Sequence, residues 1–134
     1  MSLTPTARAA LIARYADGPR LLQEALATVP PEAMRWRPAP TEWSAHEVVV
    51  HCADSETQAA SRIRVVACET DPVIQGYDQE LWAREFDYHA HPLDLALATV
   101  IAVRANRLSI YADHLEGHAR QIADNVAAWR KRGA

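Results

Sequence analysis

From Leu93 to Glu116 the chain contains neither proline nor glycine, and no proline follows Pro92. Across that stretch and beyond it, Leu97, Ile101, Leu108, Tyr111, Leu115, Ile122, Val126 and Trp129 recur three, four or seven positions apart. That period keeps apolar side chains on one face of an α-helix. The pattern predicts one helix of about forty residues, a rod of roughly 60 Å at about 1.5 Å per residue. The apolar face of such a rod outruns the first helix of the chain, which by the same rule reaches only about 36 Å. Either the rod bends near Asn106 to Ser109 or a second subunit covers the overhang. ANRLS offers neither glycine nor proline for a turn, so the second subunit is expected.

The rest of the chain is also helical in pattern. Leu11, Tyr15, Leu22, Ala25 and Val29 mark a first helix, in which Gly18-Pro19 predicts a kink or a short break. VPPEAMRWRPAPTEW is a proline-rich connector, with one turn of helix expected at Pro31 to Met34. Ser44 precedes Glu47 by three, a capping box that should open a second helix running to about Cys68. ETDPVIQGYD reads as a loop, Gln79 to Tyr88 as a short helix, and His91-Pro92 as the start of the long one. No strand pattern or repeat is visible, so the chain is expected to be all-α and to form a single domain over residues 1–134.

Composition narrows the class of function. Apolar residues make up 49% and charged residues 23%, a globular balance, and the net charge of −3 is not gathered into blocks. Nothing resembles a basic stripe for nucleic acid, and no apolar run is long enough to span a bilayer. MSLTPTARAA lacks the apolar centre of a signal peptide, so a cytoplasmic location is expected. Cys52 and Cys68 have no CxxC partner and read as small apolar residues of the interior.

Six histidines carry the chemical signal. His114 and His118 stand one turn apart beside the apolar stripe, so both should point inward. His51 interrupts the apolar run VVVHCA on another long helix. Three such imidazoles can form a tripod for one divalent ion, and bundle cores commonly hold such sites. Alternatively, all three are interior histidines bonded to carbonyls. HLEGH is not the zincin motif, because Leu115 stands where HExxH has its glutamate. His46 lies roughly 140° round the helix from His51 and cannot share its ion. His89 and His91 read as solvated loop residues. The tryptophans read as core plugs or cover for the connector, with Trp43 placed to roof a pocket near His51.

WSAHEVVVHCADSE, followed by Arg62, resembles the W-S-x-x-E-x-x-x-H-L-x-x-x-E segment of the DinB/YfiT-like superfamily. YADHLEGHARQI resembles the closing H-x-x-x-H-x-x-Q-I segment of the same family. The resemblance implies a four-helix bundle in which His51, His114 and His118 bind a divalent metal, with zinc or nickel expected because imidazole suits both. It also implies hydrolase-like chemistry or transfer of a small thiol. Cys52 stands where the family often has leucine. Family members usually carry a further connecting segment before the last motif, whereas RANRLSIYADHLEGH runs straight through. The bundle is therefore expected to be completed by a swapped C-terminal helix in a homodimer. Glu47 and Asp54 are candidates to orient His51 from behind. The rival expectation is a non-catalytic helical dimer whose histidines, or metal, only brace the core.

Overall fold

The structure is a computed structural model and describes residues 4–106. His114, His118, Trp129 and the distal part of the expected rod lie outside the described residues. Four helices are present, and no strand occurs among the described residues: α1 at Pro5–Ala27, α2 at Ala45–Cys68, α3 at Gln79–Glu85 and α4 over 93–106. Short 3-10 turns at Pro31–Ala33 and Tyr88–Ala90 sit in the connectors. No helix among the described residues is long and apolar enough to cross a membrane.

α1, α2 and α3 each start where a side chain can take one of the first free N–H groups. Thr4 caps α1 by accepting from Ala7 N, with Pro5 opening the helix. Ser44 and Glu47 form the expected capping box of α2, and Asp78 accepts from Leu81 N at 3.0 Å to start α3. Pro92 precedes α4, its carbonyl accepting from Ala96 N at 3.1 Å. Asp87, with φ 42°, turns the chain between α3 and the second 3-10 turn.

The core is built on α2. Val49, Val50 and Ala53 pack with Ala83 of α3, Tyr88, and Ala96 and Val100 of α4. Leu22 and Leu26 of α1, with Trp43, Trp82, Leu93 and Leu97, close around them. The buried positions of α4 are thus the small Ala96 and Val100, while Ile101 is exposed, a partial rotation from the stripe that the sequence suggests. Small residues at a contact let helices approach closely, and that selects the face more strongly than bulk does. No residue of α1 is fully buried, and Leu11 and Ala25 are exposed although their spacing suggests an inward stripe. Trp36 is 64% exposed and plugs nothing. Cys68 is exposed and Cys52 half-buried, so only Cys52 approaches the expected interior position.

Gly18-Pro19 does not break α1. Proline has no N–H to give to the carbonyl four residues back, which here is Tyr15 O. Arg104 of α4 supplies the missing donor, its Nη1 reaching Tyr15 O at 2.8 Å. The same guanidinium donates to Glu56 Oε1 from Nε at 2.7 Å and from Nη2 at 2.5 Å, and lies 4.4 Å from the centre of the Tyr15 ring. Tyr15 Oη donates to Glu56 Oε2 at 3.0 Å. One arginine therefore ties α1, α2 and α4 together. Gly18 makes room for it, since a Cβ there would overlap Arg104 Nη1.

On helix propensity alone, Gly18→Ala should stabilise α1 by about 1 kcal/mol. With Arg104 pinned in place it is expected to destabilise instead, and to become stabilising only in an Arg104→Ala background. Arg104→Ala alone should cost about 2–3 kcal/mol, because it leaves the half-buried Glu56 without its cation. A urea-denaturation double-mutant cycle on residues 18 and 104 reads both expectations. Additive effects would show that the two residues are independent.

Candidate functional site

His51 owes its position to the way α2 begins. Glu47, 1% exposed, accepts from Ser44 N at 2.9 Å, while Ser44 Oγ accepts from Glu47 N at 3.2 Å. Arg37, from the proline-rich connector, grips the same carboxylate with Nε at 2.9 Å and with Nη2. His46 N donates to Met34 O at 3.0 Å, a second tie between connector and helix. The start of α2 is fixed on both sides, and with it the rotation at which each later residue leaves the helix.

At that rotation His51 is half-buried against Trp43, with ring centroids 4.6 Å apart and planes tilted by 46°. Trp43 Nε1 donates to Glu80 Oε2 at 3.2 Å, which holds the indole over the imidazole. Trp43 thus covers His51 itself. His51 Nδ1 is sealed from solvent and has no hydrogen-bond partner. Burial lowers the pKa of His51, and the negative charges of Asp54 and Glu80 only partly oppose it. The ring is held as neutral imidazole, the form that binds metal.

The expected orienting carboxylates do not bond to His51. Glu47 is committed to Ser44 and Arg37. Asp54 accepts from Tyr88 Oη at 2.6 Å, and burial, with Asp54 next, pushes the phenol pKa up. Its influence on His51 is through charge alone.

The other described histidines, His46, His89 and His91, take part in contacts that hold the fold. His89 is not a solvated loop residue: it is half-buried, with Nε2 2.7 Å from Ser44 Oγ and 3.4 Å from Glu47 Oε2. A serine, a histidine and a carboxylate together suggest a nucleophilic triad, but this arrangement is not one. Ser44 is completely buried, its Oγ already caps α2, and Glu47 approaches the same ring nitrogen as the serine rather than the opposite one. His91 is exposed, as expected, and its backbone carbonyl accepts from His46 Nε2 at 2.8 Å. A carbonyl only accepts, so Nε2 of the buried His46 carries the proton. No sequence signal pairs residues 44 with 89 or 46 with 91, because both contacts span a 45-residue separation. No group of three potential metal ligands occurs among the described residues.

The helical architecture has a counterpart in one family. The sequence profile of the DinB superfamily matches residues 14–132. The chain belongs to the DinB superfamily. A relative from Oceanobacillus iheyensis, named a "putative metal-dependent hydrolase", is 30% identical over 97 residues, which cover 72% of this chain and 56% of the relative. Among solved structures, YfiT from Bacillus subtilis superposes with a TM-score of 0.74 at 20% identity, over 84% of this chain and 64% of YfiT. It is described as "a probable metal-dependent hydrolase with an unusual four-helix bundle topology", and the superposition establishes the bundle fold here. The chain spans little more than half of the curated relative and under two-thirds of YfiT.

The Glu47 carboxyl is held down to about 2, chiefly by Arg37, against an ordinary 4.5. A carboxylate with a lowered folded pKa stabilises the fold above its unfolded value, and that stability is lost as pH falls toward the folded one. The full shift corresponds to about 3 kcal/mol, and solvent around the half-exposed Arg37 reduces this to about 2. Glu47→Gln should therefore be about 2 kcal/mol less stable near neutral pH, with the gap to wild type closing as pH falls from about 4.5 toward 2. Urea titrations across that window test it. A gap that stays constant with pH would mean the carboxylate charge contributes nothing.

Proposed function

We propose that the protein is a divalent-metal-dependent hydrolase whose ion is held by His51, His114 and His118. The observation that carries this reading is the unsatisfied, solvent-sealed Nδ1 of a histidine kept neutral under Trp43. Leaving a buried polar atom without a partner costs about 1–3 kcal/mol, a reason to look for a ligand at that ring. His114 and His118, one turn apart in the sequence, are the remaining imidazoles with chelating spacing. The donor set is nitrogen throughout, which favours zinc or nickel. Such an ion supplies a Lewis acid and makes water a usable nucleophile near neutral pH.

Among the described residues, Ser44, Cys52 and Cys68 are poor candidates for a protein nucleophile. Ser44 is buried in a cap, and burial raises the thiol pKa of Cys52, followed by the charge of Glu56. Cys68 is exposed and not part of the His51 surroundings. Hydrolysis is preferred to thiol transfer because both relatives above carry hydrolase names. Trp43 and Glu80 form one wall beside His51 and exclude water from that side of the ring.

The same reading extends to assembly. Residues 93–106 are helical, and the sequence after them lacks a turn signal, so we assign His114 and His118 to a partner copy in a swapped homodimer.

Elemental analysis of protein purified without chelators is expected to find about one ion per three-histidine site. The ion should be lost in His51→Ala and His118→Ala. Protein that holds no zinc or nickel, and takes up neither on titration, would refute the reading. Ester or amide hydrolysis should survive Cys52→Ala and Cys68→Ala but not His51→Ala. Co-refolding His51→Ala with His118→Ala should restore one metal site per heterodimer, and light scattering should give twice the chain mass. A monomer with a full complement of metal would remove the swap while leaving the metal site in place.

A further inference from the structure

Arg62 lies on α2 eleven residues beyond His51, about 16 Å along the helix. Its environment differs from that of the arginines that pair with carboxylates among the described residues. Arg20, Arg37, Arg84 and Arg104 each pair with an Asp or Glu carboxylate. Arg62 is half-buried, yet among the described residues it bonds to a neutral group alone, its Nη2 donating to Gln75 O at 2.7 Å. The guanidinium lies 5.6 Å from the centre of the Tyr77 ring, and its Nε is sealed from solvent without a partner. A partly desolvated cation lacking both an anion and one hydrogen bond is unfavourable as it stands.

The unsatisfied edge is the informative one. Arg37 and Arg104 use Nε and Nη2 together to grip Glu47 and Glu56. In Arg62 the same edge carries a carbonyl at one nitrogen and nothing at the other. Beside it opens a cavity of about 300 Å³ lined by Arg62, Ile63, Val66, Ala67 and Ile74. Every wall but Arg62 is hydrocarbon. Val66 is 57% exposed, and Val73, next to Ile74 in the connector, is 83% exposed. At about 30 Å³ per water, the space suits a ligand of roughly ten heavy atoms.

We propose that this cavity binds a small amphipathic carboxylate, its hydrocarbon chain against Ile63, Val66 and Ile74 and its acid group on the Nε–Nη2 edge of Arg62. The fork geometry of guanidinium matches a carboxylate's two oxygens. Because Nε is shielded from water in the free protein, the acid takes the place of the Gln75 carbonyl, and the connector from 69 to 78 shifts as it enters. The proposal uses no residue of the metal site.

The test is calorimetric titration of the full chain, as purified, with octanoate, octan-1-ol and octylammonium. Octanoate should bind saturably, at least tenfold more tightly than octanol, and octylammonium should not bind. Arg62→Gln should bring octanoate down to the level of octanol, with circular dichroism confirming the fold. If that variant does not fold, Val66→Trp, which fills the cavity from an exposed position, should abolish octanoate binding. His51→Ala should bind octanoate as wild type does, even if it carries no metal. Equal affinity for octanoate and octanol, or no saturable binding, would overturn the proposal. So would octanoate binding that is lost in His51→Ala and kept in Arg62→Gln, since the acid would then be sitting on the metal.

Discussion

Most of this structure depends on a single buried charge. Glu47 is almost wholly withdrawn from water, which is tolerable only because Arg37 and the backbone of Ser44 surround its oxygens with donors. Those same contacts join three things that the chain must align. The connector is brought in through Arg37, α2 is started through Ser44, and Trp43 is placed one residue before the cap. His89, reaching Ser44 Oγ, carries the α3–α4 connector to the same point. A residue on a helix leaves it at an angle fixed by its distance from the start, so the cap also sets where His51 and Arg62 point.

The second constraint works from the opposite side. α1 buries no residue completely, and among the described residues its apolar contacts with the core come from Leu22 and Leu26. Its attachment relies also on Arg104, Glu56 and Tyr15. Proline in the middle of a helix normally costs a hydrogen bond. Here the carbonyl it exposes becomes an acceptor for another helix, so a local defect is converted into a tertiary contact. The preceding Gly18 lets the guanidinium approach, and the pair Gly18-Pro19 reads as one docking feature rather than as a breaker.

These differences explain what could be read in advance. The helix starts were legible because a capping box and proline at a helix start are local devices, complete within four residues. The DinB fold and the placement of His51 on an inner part of α2 were legible for the same reason, through a contiguous motif. Continuity of α1 was not, since it depends on Arg104, which lies 89 residues from Tyr15. Nor was the rotation of α4, because the stripe read from bulky residues favoured Ile101, while packing chose Ala96 and Val100. His89 reads as solvated in the sequence because no local sign marks Ser44 as its partner. His114 and His118 lie outside the described residues, and their spacing says nothing about which element they would meet.

What the geometry around His51 does say concerns its charge. Two opposed influences act on the ring: burial under Trp43, which disfavours imidazolium, and the carboxylates Asp54 and Glu80, which favour it. Both carboxylates are themselves engaged, Asp54 by Tyr88 Oη and Glu80 by Trp43 Nε1, and they act on the ring through their charge. Tyr88 is anchored in the core at 1% exposure, and its raised pKa keeps it a donor at any physiological pH. The tyrosine thus holds Asp54 in place without adding charge, and burial remains the larger influence on His51. A neutral, unpaired imidazole is consequently a property of the fold itself, set by core residues on α2, the connector and the 3-10 turn before α4.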